Sequence, residues 1–437
     1  MPLIIPANSL SSGGYSIDNS CRFNDGSSDY LSRTPASAGN RRTWTWSGWV
    51  KRSQIGSTYN NLFSGGVDSD TNGFVQCAFW GDSSDWLEVT IYNSAYLRFR
   101  TTQLFRDTSA WYHIVIGFDS TQGTNTNRVK IYVNGEQISS FATYNTLAQN
   151  FDSAVNNTEI QKVGAGSSSA SSVNNYYDGY IAEAVLVDGQ QLAADSFGEF
   201  DEDSGIWKPI DVSGNGNDFT VNNLTAIDQT TDTCTNNFCT LSPLWNSFNQ
   251  GDLSEGNLKS SMTSGAYKTN VASFGVSQGK WYWEIKITSA SNVDFLLFGV
   301  TDESNNLNAT FIDVSTLYNN TTGKMRISGS EDGSASAKFA QGDIVGIALN
   351  MDDKQISIYK NGSALHSNVA MATTSNLVFP CHIAYTYATY IFEYNFGGTQ
   401  SFAISSGNAD GNSKGNFEYL PPEGYFALCT ANLAEFG

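Results

Sequence analysis

The sequence predicts an all-β chain built as two antiparallel β-sandwich (jelly-roll) domains, and three observations carry that expectation. Short runs of period two recur from end to end, separated by Gly, Asn, Asp and Ser, while helical periodicity is almost absent. The same hairpin wording comes twice, as VKIYVNGEQI over 129–138 and ISIYKNGSAL over 356–365. Each copy sets Asn-Gly at the turn, the pair that tolerates positive φ. At 437 residues the chain exceeds what one core organises, and two sandwiches fit.

In chain order, TWTWSGWVKR places Trp44 and Trp46 on one face, LEVTIY does the same with Leu87, Val89 and Ile91, and WYHIVIGF with Ile114, Ile116 and Phe118. GQQLAADSF, ending near Phe197, is the one helical turn expected in this half. From 201 to 262 the segments DEDSG, SGNGND, DQTTDTCTNN and FNQGDLSEGN interrupt brief apolar runs. Trp207, Phe219, Leu241 and Trp245 make this an irregular connector packed along its neighbours and not a free linker. GKWYWEIKI then alternates Trp281, Trp283, Ile285 and Ile287 against Lys280, Tyr282, Glu284 and Lys286. DFLLFGV and GDIVGIAL are continuously apolar, as strands covered on both faces are. YIFEYNFGG keeps Tyr390, Phe392, Tyr394 and Phe396 in step, and the closing segment, 399–437, is free to dock on either sandwich.

Composition narrows the function classes. An apolar content of 40% with 13% aromatics suffices for sizeable cores. A net charge of -19 opposes nucleic acid phosphates and anionic lipid, so no nucleic acid partner is expected. Charged residues are only 15% of the chain, which leaves hydrogen-bonding loops to Ser, Thr, Asn, Gly and Tyr. MPLIIPANSLSSGG lacks the basic and apolar regions of a signal peptide, and no run of about 18 apolar residues exists, so no membrane insertion is expected. Cys21, Cys77, Cys234, Cys239, Cys381 and Cys429 read as small buried thiols; a lone C-x4-C at 234–239 is a weak zinc signal.

Few residues offer chemistry. The acidic run EFDED, 199–203, sits beside Gly and Ser at a domain edge and reads as a solvated turn rather than a paired-carboxylate site. His113 and His382 lie inside strands and read as structural, and His366 as exposed. DSDTNG aligns Asp68, Asp70 and Asn72 as a calcium loop opens, but Phe79 stands where the bidentate Glu belongs. A polar hairpin turn is the favoured reading and a weak structural Ca²⁺ the alternative; no other cofactor is expected. Candidate ligand contacts are aromatic: Trp80, Asp82, Asp85 and Trp86 around WGDSSDW, and Asn175, Tyr176, Tyr177 and Asp178 in VNNYYDGY. Such residues stack sugar rings and bond their hydroxyls, or else pack as hairpin flanks and edge strands.

Ordered sets of segments carry two family resemblances. WSGWVKR, FSGG, WYHIVIGFDS, RVKIYVNG and YDGYIAEAVLVDGQQL, within 21–200, resemble a laminin G-like or concanavalin A-like jelly roll. GKWYWEIKI, LLFGVTDE, GDIVGIALNMDDKQISIYKNG, VFPCHIAY and NFGG, within 263–398, resemble a SPRY domain. The second resemblance implies peptide- or protein-binding loops around Tyr267, Asn306, Tyr385 and Tyr387. The combination, with IWKPIDVSGNGNDFTVNN and GYFALCTANL, also resembles structural and fibre-like proteins of tailed bacteriophages from aquatic hosts. That implies a non-enzymatic virion protein, assembled in the host cytoplasm: a fibre, decoration or receptor-binding appendage, homo-oligomeric by analogy. Its partners would be other virion proteins, with MPLIIPANSL of the 1–20 arm as an attachment segment or else a disordered tail or an added edge strand, and a host surface glycan or protein. A depolymerase on the first sandwich and a capsid or tail cement protein are the alternatives.

Overall fold

The computed structural model describes residues 15–437 apart from 57–58, 68–72, 81–84, 170–171, 202–205, 211–219, 246–249, 264–266, 291, 303–314, 372–376 and 386–388. The chain divides into two units, one of Ser11–Gln229 with Thr233–Thr235, the other of Asn236–Gly437 with Thr230–Asp232.

The first unit faces two antiparallel sheets. One runs, neighbour to neighbour, Glu136–Gln137, Val129–Val133, Trp111–Asp119, Thr43–Arg52, Gly179–Asp188, Ser20–Phe23. The other runs Phe141–Tyr144, Tyr96–Leu104, Trp86–Tyr92, Phe74–Trp80, Asn60–Gly66, Gln161–Val163, Tyr30–Arg33, Thr220–Asn222. The alternating residues meet between them: Trp44, Trp46, Leu87, Val89, Ile91, Ile114, Ile116 and Phe118 share one core, with Trp44 stacked 4.9 Å from Phe118. The turn expected before Phe197 is a 3-10 turn, Ala194–Ser196.

In the second unit one sheet runs Asp252–Ser254, Lys259–Met262, Tyr390–Asn395, Lys280–Ala290, Ile344–Asn350, Gln355–Lys360, Ser363–Ala370. Its partner runs Tyr267–Val271, Val378–Tyr385, Leu296–Asp302, Ser315–Asn319, Lys324–Ile327, Ser330–Asp332. Trp281, Trp283, Ile285, Ile287, Tyr390, Phe392, Tyr394 and Phe396 fill the space between. The two continuously apolar strands, Leu296–Asp302 and Ile344–Asn350, are buried along their whole length.

The described residues of 201–262 lend short strands to each unit. Trp207–Pro209 pairs with Gly198–Phe200 in the first unit, while Asp252–Ser254 and Lys259–Met262 are strands of the second. Strands of three or four residues carry too little alternation to be read from sequence. Phe219 lies outside the described residues. The closing segment docks on the second unit: Phe426–Ala427 adds a parallel strand beside Trp281 and Tyr282, and Thr430–Phe436 forms a helix that the sequence pattern does not announce.

The two Asn-Gly hairpins share more than a turn type. Asn134 and Gly135 hold φ of 48° and 86°, Asn361 and Gly362 of 48° and 78°, as a two-residue I′ turn requires. Each Asn also binds the neighbouring strand. The His113 amide donates to Asn134 Oδ1 at 2.8 Å and the Ile344 amide to Asn361 Oδ1 at 2.8 Å, while each Asn amide donates back to the same residue's carbonyl. The glycines face rings. A Cβ at Gly135 would run into the indole of Trp207, and one at Gly362 into the phenol ring of Tyr419.

Tyr419 is held there by a buried acid. Glu284 is fully buried and accepts from the amides of Glu418 (2.9 Å) and Tyr419 (2.8 Å), from Asn395 Nδ2 (3.1 Å) and from the Tyr282 hydroxyl (3.2 Å). Burial pushes its carboxyl upward and the donors pull it back. Four donors on two oxygens are what an ionised carboxylate needs to be buried. The strand face that alternation assigned to Lys280, Tyr282, Glu284 and Lys286 is thus covered at its centre by chain more than 130 residues later.

The ring-on-glycine contacts predict a graded response to alanine. Gly189 also has positive φ, with nothing near its Cβ, so Gly189→Ala should lose only the left-handed backbone cost, about 1–2 kcal/mol. Gly135→Ala and Gly362→Ala should each lose measurably more in urea melts, because a ring must also move.

Candidate functional site

Among the described residues, the strongest assembly of partly exposed aromatic and polar groups lies on the outer face of the first unit's larger sheet. Trp80 and Trp86 stand opposite each other across adjacent strands, half-buried, as the alternation of Phe74–Trp80 and Trp86–Tyr92 turns Phe79, Leu87 and Val89 inward. The Arg100 guanidinium lies 4.4 Å from the Trp80 ring and 4.6 Å from that of Trp86, and Arg98 5.2 Å from Trp80. Tyr59 meets Trp80 edge-on at 4.2 Å. Glu88, buried between the arginines, pairs with Arg100 and accepts from Thr90. At the far end of the same strands Phe74, Tyr92 and Tyr96 cluster, Tyr92 to Tyr96 at 4.7 Å, and Tyr96 is 51% exposed. Six residues of strand, about 20 Å, separate the aromatic ends, with Gln76, Thr90 and Arg98 between them.

In the first unit the other described aromatic and acidic candidates are structural. Asp85 is buried against Arg52 at 3.0 Å, reaches Arg106 at 3.1 Å and caps the Gly56 amide. It anchors the start of its strand and cannot face a ligand. Tyr177 is fully buried, its hydroxyl on the Lys51 carbonyl at 2.9 Å, so it is a core residue and not a rim one. Asp178 is also buried, and Tyr176 leans on Tyr30 with its hydroxyl on the Val173 carbonyl. In the second unit Tyr267, 47% exposed, stands in register with Tyr385 on the adjacent strand. Asp68, Asp70, Asn72, Asp82, Asn306 and Tyr387 lie outside the described residues. Among the described residues no group of three or more His, Cys, Asp or Glu is placed to hold a metal.

One pair has the look of a nucleophile and its base: Ser47 Oγ and His113 Nε2 are 2.9 Å apart. The Trp207 indole N–H, which can only donate, points at His113 Nδ1 at 2.9 Å. The ring proton therefore sits on Nε2 and is donated to Ser47, the reverse of base activation. Burial pushes this imidazole down to about 3, which keeps it neutral. His382 is likewise buried, with Nδ1 2.7 Å from the Tyr394 hydroxyl and a pKa of about 3. His366 is not simply exposed: its Nε2 meets the Gly323 carbonyl at 3.1 Å and Ser336 Oγ at 3.0 Å. Of the acidic run 199–203, the described acids Glu199 and Asp201 share one cation. Lys208 bridges Glu199 at 3.4 Å and Asp201 at 3.3 Å, with Asp201 buried.

Residues 25–194 match the concanavalin A-like lectin/glucanases superfamily family Laminin_G_3, and residues 280–399 match the SPRY domain family. The chain carries both domains. Solved structures similar to it include the SPRY domain of human HERC1, at 21% identity over 33% of this chain and 90% of that one, TM-score 0.29. The native heptameric SAP-like pentraxin of Limulus polyphemus is similar at 13% identity over 39% of this chain and 75% of that one, TM-score 0.30. A human SPRY domain is similar at 19% identity over 31% and 90%, TM-score 0.26. No curated protein matches the chain.

One residue of the concanavalin A-like domain is not legible in the sequence. Lys162, on a strand flanked on both sides, is 1% exposed, and its ammonium has no hydrogen-bond partner among the described residues. A lone Lys in QKVG carries no sequence signal for that burial. Burial alone pushes its pKa down to about 8 from 10.5. The unfolded chain therefore holds its proton more tightly, and the folded domain bears the full penalty below about pH 8, regaining stability as pH rises toward 10.5. Lys162→Met should accordingly stabilise the domain by about 3 kcal/mol at pH 7, an advantage that fades by about pH 10.5 in melts across that range.

Proposed function

We propose that this chain is a non-catalytic binding protein of a tailed-phage virion, attaching through its concanavalin A-like domain to a host surface glycan. The observation that carries the reading is the Trp80–Trp86 pair with its arginines, facing outward from a sheet whose other face is committed to the core. Partly exposed indoles offer apolar platforms for sugar rings, and Gln76 and Arg98 lie along the same face to meet hydroxyls. The length between the aromatic ends suits an oligosaccharide laid along the strands rather than a single sugar. Both domains are of binding folds, and function is argued from the face and not from the fold. The virion role rests on the resemblance of the 206–223 and 424–433 segments to phage structural proteins. Other virion proteins and a second copy of the chain are its proposed assembly partners.

Purified protein should bind susceptible cells and their surface polysaccharide without shortening the polymer. Trp86→Ala should weaken that binding by at least about tenfold while the second domain still melts as in the parent. Unchanged attachment in Trp86→Ala and Trp80→Ala, or polymer cleavage by the pure protein, would contradict the reading.

A further inference from the structure

A second feature of the concanavalin A-like domain lies away from the tryptophan face. Beside the Asn134-Gly135 turn is a hollow of about 550 Å³, lined among others by Tyr132, Gln137, Asp195, Glu199, Phe200 and Trp207. A neighbouring hollow of about 370 Å³ shares Gln137 and Phe200 and adds Glu136. Phe200 divides the two and is 49% exposed, yet its ring is fixed edge-on to Trp207 at 4.9 Å. A half-exposed ring seated against a second ring and flanked by two hollows is the kind of aromatic anchor an interface uses.

The charges around it have one sign. Glu136, Asp195 and Glu199 line the two hollows, and among the described residues no Lys or Arg does. Lys208, the nearest cation to pair with Glu199, is shared with Asp201. Asp195 makes itself felt at the hollow's floor: the Tyr132 phenol is pushed up by burial and then by the Asp195 charge. The whole chain, at -19, draws cations toward it. Glu136–Gln137 is moreover the edge strand of its sheet, where an extended segment can lie, and the two hollows fall on either side of Phe200 as alternate side chains of such a segment would.

We infer that the paired hollows astride Phe200 form a docking site for an extended basic peptide, seating a lysine or arginine side chain against Asp195 and Glu199 with its alkyl stem on Phe200 and Trp207. The site is independent of the glycan face and stands if that reading fails.

The test is titration of the full chain with a labelled Ala-Lys-Ala-Lys-Ala peptide, its Glu counterpart and butylamine. The basic peptide should bind, the Glu peptide should not, and the free amine should bind at least tenfold more weakly than the peptide. Asp195→Asn should weaken the basic peptide about fivefold and Phe200→Ala about tenfold, and added salt should weaken it further. Both altered side chains face solvent, and an unchanged melt confirms that the variants fold. Trp86→Ala should leave the peptide affinity unaltered. No binding of the basic peptide at millimolar concentration, equal binding of the Glu peptide or of butylamine, or an affinity indifferent to Asp195→Asn and Phe200→Ala would overturn the assignment.

Discussion

A ring packed against a turn glycine is the contact on which each domain's outer packing depends. An I′ turn puts Gly135 and Gly362 in positive φ, and the missing Cβ lets Trp207 and Tyr419 close over them. The Asn beside each glycine ties the turn to a third strand, so the ring rests on three strands rather than on a loose loop. The two rings then serve different ends. In the first domain, Trp207 goes on to fix the His113 tautomer by its indole N–H. In the second, Tyr419 reports the position of a segment pinned by buried Glu284.

These covers decide which surfaces remain for binding. The outer face of the sheet containing Trp111–Asp119 is closed by Trp49, Trp111, Tyr132, Tyr180, Phe197 and Trp207, a second apolar layer outside the sandwich core. Among the described residues, the opposite sheet carries no comparable apolar layer over Phe74–Leu104. Its outer face is instead a ladder of rings and guanidinium groups that pack on one another and stay partly in water. Buried Glu88 offsets one of the two arginines, so the face offers apolar platforms with oriented donors and only a small net positive charge. So small a charge suits neutral hydroxyl-bearing ligands better than polyanions, in keeping with a chain that is acidic throughout.

The long alternating strands were legible because burial on one face writes itself as period two. Trp44 with Trp46, and Trp281 with Trp283, needed no partner to be placed. The hairpins were legible as turns, but the rings upon them come from 72 residues later in sequence for Gly135 and 57 for Gly362, a separation no local pattern spans. For the same reason Asp85 and Tyr177 read as loop residues: Arg52, which buries one, and the Lys51 carbonyl, which holds the other, lie far upstream. Trp80 and Trp86 were legible as candidates, whereas Arg98 and Arg100, the groups that make them a site, emerge only from strand register. Glu284 sat on a face that alternation marks as polar, and only the returning segment explains why it is buried.

Recognition on the open, aromatic face of the concanavalin A-like domain is the claim on which the proposed function stands. Hydrogen exchange of the intact chain, with and without polysaccharide from a susceptible host, locates that contact without altering any residue. New protection is expected in peptides covering Phe74–Trp80, Trp86–Tyr92 and Tyr96–Leu104, with the strands of the SPRY domain unchanged. Protection confined to the SPRY domain, or to the closed face around Trp111–Asp119, would contradict it.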